Sequence, residues 1–168
     1  MAEATKTKFD TKKETGELTV SRVFNAPIAK VFKAWTTDDA VKQWWGPRTW
    51  PTVFSKMDFK EGGSWHYAMQ GPDGTKAWGK MLYKEIEEPT RILYTDAFSD
   101  EDGNVDETKP VTDTEMKFED LGDGRTRIVS HTKYADPKDL QTVLDMGMKE
   151  GLDETWDRLE EYLTGEAK

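Results

Sequence analysis

The stretch PKDLQTVLDMGMKEGLDETWDRLEEYL, residues 137–163, decides the fold. Apolar residues recur along it at Leu140, Val143, Leu144, Met148, Leu152, Trp156, Leu159 and Leu163, with Gly147 and Gly151 interrupting the same series. This three-to-four spacing is that of a helix with one buried side. Asp136 suits the N-cap and Pro137 the first helical position. At 1.5 Å per residue such a helix spans roughly 40 Å, and it needs a large partner surface. Each glycine costs about 1 kcal/mol of helix propensity against alanine. Two of them four apart on an apolar face imply close backbone approach to a sheet, or space left open for a ligand.

The chain before this helix supplies the sheet. Leu18, Val20 and Phe24 alternate with polar neighbours as a first strand that ends at Asn25-Ala26-Pro27. Short helices follow over 28–35, with Val31, Phe32 and Trp35 on one side, and over 38–44, with Asp38 placed to cap. Trp45-Gly46-Pro47 stops the second. Six further strands are predicted at 52–58, 64–69, 77–86, 92–99, 112–118 and 126–134. The turns between them include Glu61-Gly62-Gly63, Gly71-Pro72-Asp73-Gly74, Glu88-Pro89-Thr90 and Leu121-Gly122-Asp123-Gly124. Hairpin turns imply antiparallel neighbours. The class is α+β: about seven strands in one curved antiparallel sheet wrapped around a long C-terminal helix, with two short helices after the first strand. Residues 1–16 are expected as a flexible N-terminal arm, and 17–168 as a single domain.

Composition narrows the function. A net charge of −9 argues against binding nucleic acid or an anionic membrane surface. The absence of cysteine excludes thiol nucleophiles and cysteine-held zinc, and two histidines cannot build a three-histidine metal site. No signal segment and no long apolar run is present, so no membrane insertion is expected and a cytoplasmic location is the default. A monomer or weak dimer is expected.

Element order and particular residues together resemble the START-like (SRPBCC) superfamily, in its branch related to the activator of heat-shock protein 90 ATPase. The similarity runs from about Leu18 to Leu163. It rests on Arg22-Val23-Phe24-Asn25-Ala26-Pro27, Val31 through to Trp35, Trp44-Trp45-Gly46-Pro47, and Asp58 with Gly62-Gly63. It continues through Gly79, the run Glu85-Ile86-Glu87-Glu88-Pro89-Thr90-Arg91-Ile92, Gly124-Arg125-Thr126-Arg127, and Gly151 with Trp156, Leu159 and Leu163. The resemblance implies a helix-grip fold with a hydrophobic cavity between sheet and helix. It also implies binding of apolar or aromatic small molecules, with cyclases and chaperone-ATPase activators among the relatives. The chain departs from the family at Leu152, where relatives often carry tryptophan.

Trp65, Tyr67 and Met69 alternate on one strand, Met81 and Tyr83 on the next, and Met116 and Phe118 on a third. With Leu144, Gly147, Met148, Gly151 and Thr155 from the helix, and Trp45 and Trp50 flanking the Gly-Pro turn, they are the candidate cavity residues. The competing reading makes the rings ordinary core. Trp44 is expected to plug the open end of the sheet as core, and Trp45 or Trp50 to form a lid at the cavity mouth. His66 and His131 have the wrong parity for the cavity face. Asp58 and Glu85 read as turn and strand-end residues, so no catalytic residue, metal or cofactor is expected. Asp100, Asp102, Asn104 and Asp106 are spaced by two, but the loop lacks the glycine and glutamate positions of an EF-hand and reads as a solvated acidic hairpin loop. The function expected is binding of a small hydrophobic, aromatic ligand. An enzyme of cyclase or dehydratase type using the same cavity is the alternative. A chaperone-ATPase-activating module stands third, since the eukaryotic activators carry an extra N-terminal domain for which 168 residues leave little room.

Overall fold

The computed structural model of the chain describes residues 6–109 and 111–165. Eight strands form one sheet: β1 Lys8–Lys12, β2 Glu17–Phe24, β3 Thr52–Met57, β4 Ser64–Gln70, β5 Lys76–Glu87, β6 Arg91–Phe98, β7 Thr112–Gly122 and β8 Arg125–Tyr134. The helices are α1 Ile28–Thr36, α2 Asp38–Trp44, α3 Pro137–Asp145 and α4 Met148–Thr164. The strand order is β1-β2-β8-β7-β6-β5-β4-β3. Every neighbouring pair is antiparallel, as hairpin connections require. The sheet is curved and unclosed, and the helices cover its concave face in the helix-grip arrangement.

Strand alternation sorts the side chains. Leu18, Val20, Arg22 and Phe24 of β2 turn inward and are buried, while their neighbours are half-buried on the outer face. β4, β7 and β8 repeat the pattern through Trp65 and Tyr67, Met116 and Phe118, and Ile128 and Ser130. Trp44 is fully buried, and its indole N–H donates to the Ala34 carbonyl at 3.1 Å, joining α2 to α1. Asp38 does not cap α2, whose cap residue is Thr37. Its carboxylate accepts instead from Ser55 Oγ at 2.6 Å and from the Met57 backbone at 3.1 Å, tying α2 to β3.

Two expectations are corrected. The N-terminal arm is not loose over 8–12: β1 pairs along its length with β2 and adds an eighth strand, so the short helices follow the second strand rather than the first. Its single large apolar residue, Phe9, packs on the core edge between the exposed Lys8, Asp10 and Lys12, a charged pattern suited to a sheet edge. Residues 1–5 of the expected arm lie outside the described residues.

The long C-terminal helix is also broken. Asp136 caps α3 as expected, accepting from the Lys138 backbone at 2.9 Å. Gly147 then takes φ +86, a left-handed conformation that stops α3 and starts α4. Gly147 N–H donates to Leu144 at 3.2 Å, and its own carbonyl accepts from Gly151 at 3.1 Å. A glycine that looked like a gap in an apolar stripe is therefore a hinge point between two helices. α4 is held to the sheet by Trp156 against Phe24 at 5.7 Å and by Asp157 receiving the buried Arg22 at 2.7 Å. Arg158 donates to the carbonyls of Gly46 at 2.8 Å and Gln43 at 3.1 Å, fixing the end of α2 beside α4.

Candidate functional site: a hollow beneath the terminal helix

Between α4 and the sheet lies a hollow of about 420 Å³, which shares lining residues with an adjoining smaller lobe of about 180 Å³. Its size is within the roughly 300–1,000 Å³ range of small-molecule sites. The roof is Met148, Gly151, Leu152, Thr155 and Trp156 of α4, with Trp35 and the 45–47 turn at one side. The floor crosses six strands, from Leu18 and Val20 on β2 to Tyr67 and Met69 on β4. Phe98 lines it yet is 47% exposed, and marks a side open to solvent.

Eight of the fourteen sequence candidates reach this lining: Trp45, Tyr67, Met69, Met81, Met116, Met148, Gly151 and Thr155. A Cβ on Gly151 would meet only Pro47, at 3.5 Å, so the missing side chain leaves room between α4 and the turn. Thr155 returns its hydroxyl proton to the Gly151 carbonyl at 2.8 Å. The other six do not reach it. Trp65 is fully buried below, its indole donating to Ser55 Oγ at 2.9 Å. Tyr83 meets Phe59 edge-on at 4.9 Å and Phe118 meets Phe32 at 5.2 Å, so both belong to the packed core under α1. Leu144 packs at the core margin, Gly147 forms the helix break, and Trp50 lies against Gly71. Trp45 is wall rather than lid, meeting Trp35, Trp44, Trp65 and Tyr67 with centroids 4.9–5.7 Å apart.

The floor also carries groups that the sequence reading missed. Asp96, Thr112, Thr114, Ser130, Thr132 and Tyr134 all line the hollow. Register explains the cluster: Asp96 opposes Thr112, Thr112 opposes Tyr134, and Tyr94 and Thr132 flank Thr114. Thr114 and Thr132 share a hydrogen bond of 2.8 Å. The signal was present in parity, since Ile92, Tyr94, Asp96 and Phe98 alternate on one face and put a carboxylate among rings.

Asp96 is the chemically distinctive group. The Tyr67 hydroxyl donates to its Oδ1 at 3.1 Å. Tyr67 lies on β4 and Asp96 on β6, so the ring must cross β5, and it does so over Gly79, where a Cβ would come within 2.4 Å of the phenol. Burial pushes the Asp96 carboxyl up to about 7, against the opposing pull of hydrogen bonds from Tyr67 and the Ala97 backbone. Asp96 is half-buried and lines the hollow. Burial raises Tyr67, Tyr94 and Tyr134 as well, so all three stay protonated donors. Among the described residues, no lysine or arginine forms an ion pair with Asp96.

Other features stand apart. His66 stacks on Trp78 on the outer face with centroids 5.1 Å apart, and His131 meets Thr19 at 3.0 Å. Asp58 is solvated beside Lys60, and Glu85 faces Arg91 at 3.6 Å. Asp100 closes its own loop by accepting from the backbones of Asp102 and Asn104 at 2.9 and 2.8 Å. Among the described residues no group of three or more His, Asp or Glu side chains converges to hold a metal, and no helix is long and apolar enough to cross a membrane.

A curved antiparallel sheet gripping a terminal helix over a lined hollow defines a START-like protein. More narrowly, the chain belongs to the family described as Activator of Hsp90 ATPase homolog 1-like protein, which matches residues 25–164. It is similar to a protein from Arthrobacter aurescens solved by NMR, with 32% identity, coverage of 94% of this chain and 91% of the other, and a TM-score of 0.86. A Mycobacterium smegmatis protein solved by crystallography is 31% identical over 94% and 96% of the two chains, with a TM-score of 0.84. The AHSA1 protein of Silicibacter pomeroyi, 20% identical over 89% and 99%, shares the fold at a TM-score of 0.69. No curated protein matches the sequence.

Proposed function

We propose that the protein binds a small hydrophobic, aromatic ligand in the hollow between the sheet and α4. The observation that carries this reading is the 420 Å³ space itself, left in a fold whose neighbouring concave surface is filled by interlocking rings. Trp35, Trp45 and Trp156 supply flat apolar wall, and Met69, Met81, Met116 and Met148 supply adaptable surface. Burying about 300 Å² of ligand at 25 cal/mol/Å² gives roughly 7 kcal/mol before association costs, which corresponds to micromolar to millimolar binding. The test is calorimetric titration with bicyclic aromatic compounds, together with native mass spectrometry of freshly purified protein. Saturable one-to-one binding weakened by Met148→Ala supports the reading, and no saturable binding up to the solubility limit rejects it.

A second reading is favoured by one observation. An enzyme acting in the hollow needs a buried ionisable group beside its substrate, and Asp96 with Tyr67 meets that need. A cyclase or dehydratase would use the carboxylate to accept a proton from bound substrate, with the Tyr67 hydroxyl holding the carboxylate in place. Turnover abolished by Asp96→Asn with binding retained would place this reading first.

A further inference from the structure

The polar strip of the hollow indicates what chemistry its ligand carries, an inference that deepens the binding reading and rests on it. The two lobes are lined by two carboxylates, Asp96 and Asp139, and by no lysine, arginine or histidine. Asp96 stands in the floor of both lobes, with the Tyr67 hydroxyl as its side-chain hydrogen-bond partner. A buried carboxylate without a cation is costly to ionise, and a cationic ligand group offsets that cost directly. The rings of Trp35, Trp45, Tyr94 and Phe98 line the same space, and aromatic rings attract cations. A carboxylate ligand could accept from hydroxyl and indole donors of the lining, but it would meet like charge at Asp96 and Asp139 and no basic side chain to neutralise it.

We propose that the hollow selects an aromatic ligand bearing a basic amine, with the ammonium held by Asp96, and discriminates against carboxylates such as fatty acids. The ionisable groups that feel the Asp96 charge are Tyr67 from β4, Tyr83 from β5, Tyr94 from its own strand and Tyr134 from β8, and Asp139 from α3 shares its smaller lobe. The β7, α4 and 45–47 segments of the lining add no ionisable side chain. The tyrosines stay neutral, so the titration of Asp96 sets the pH response. Amine affinity rises from pH 6 to pH 8 as Asp96 ionises, whereas a neutral analogue binds with little change.

The test is calorimetric titration of the full chain with four matched probes: a naphthylethylamine, the corresponding alcohol, ethylnaphthalene and a naphthylpropanoate. At pH 8 the amine is expected to bind about tenfold or more tighter than the alcohol, as a charge-assisted hydrogen bond should give, with the carboxylate weakest. In Asp96→Asn the amine preference falls to within about threefold while the alcohol still binds, which also reports that the variant is folded. Alcohol or hydrocarbon binding as tight as the amine to wild-type protein overturns the proposal and leaves the binding reading standing. A carboxylate that binds tightest overturns it too. If none of the four binds, the binding reading fails and takes the proposal with it.

Discussion

The two halves of the concave face are built from the same alternation yet end in opposite states. Under α1 and α2 the inward side chains are rings that meet edge-on: Trp35 with Trp44 at 4.7 Å, Phe32 with Phe118 at 5.2 Å, and Phe59 with Tyr83 at 4.9 Å. Under α4 the same sheet presents Thr112, Thr114, Ser130 and Thr132, and the helix answers with Gly151 and Thr155. Short side chains on both layers leave volume that no neighbour fills. The hollow thus comes from side-chain size rather than from apolarity, and its hydroxyls and Asp96 come with it.

The largest test of this contrast is truncation in the packed half. Trp44→Ala removes a fully buried ring and its hydrogen bond to Ala34, and should cost about 3–5 kcal/mol in denaturant unfolding. Met148→Ala over the hollow should cost less than about 1 kcal/mol, because its neighbours include empty space. Comparable losses at the two positions would erase the distinction.

Asp96 gives the next largest effect. Its carboxyl titrates at about 7 when folded against an ordinary 3.8, so between these values the folded state holds a proton that the unfolded state has released. Its contribution is therefore full below about pH 4 and lost as pH rises through about 7. The loss is on the order of 2–4 kcal/mol as an upper range, since solvent entering the hollow reduces it. Thermal unfolding of wild type and Asp96→Asn from pH 5 to pH 8 checks the sign: the variant should gain on wild type as pH rises.

Gly79→Ala sharpens the comparison at the boundary between the halves. The new methyl would occupy the path of the Tyr67 ring, costing about 1–3 kcal/mol as overpacking and separating the phenol from Asp96. A crystal structure of the variant with the 3.1 Å hydrogen bond intact would refute this. The smallest effect is expected at Gly151→Ala. Contact with Pro47 at 3.5 Å is ordinary, so the gain in helix propensity of up to about 1 kcal/mol should appear as a slightly raised melting temperature. A clear loss of stability there would mean that the space over the hollow is smaller than the structure gives.

Periodicity and turn residues by themselves determined the class of fold. The alternation of Leu18, Val20 and Phe24, the hairpin glycines and the helical spacing of Leu140 through Leu163 are local signals, and local hydrogen bonding obeys them. The same signals located much of the roof and part of the floor, because Tyr67, Met69 and Met81 must share a face. What they could not decide was depth. Whether a ring packs, as Trp65 and Phe118 do, or lines a space, as Trp45 does, depends on what elements distant in sequence place opposite it, as Phe32 of α1 stands against Phe118. β1 escaped because KFDTK carries too little apolar pattern, and its strand exists through pairing with β2. The break at Gly147 escaped because a glycine reads alike as a gap and as a left-handed stop, and only packing of α3 and α4 on different surfaces selects the second. Asp96 is the plainest case: its residue type is written in the sequence, but its proton affinity was created by the walls that the tertiary fold assembled around it.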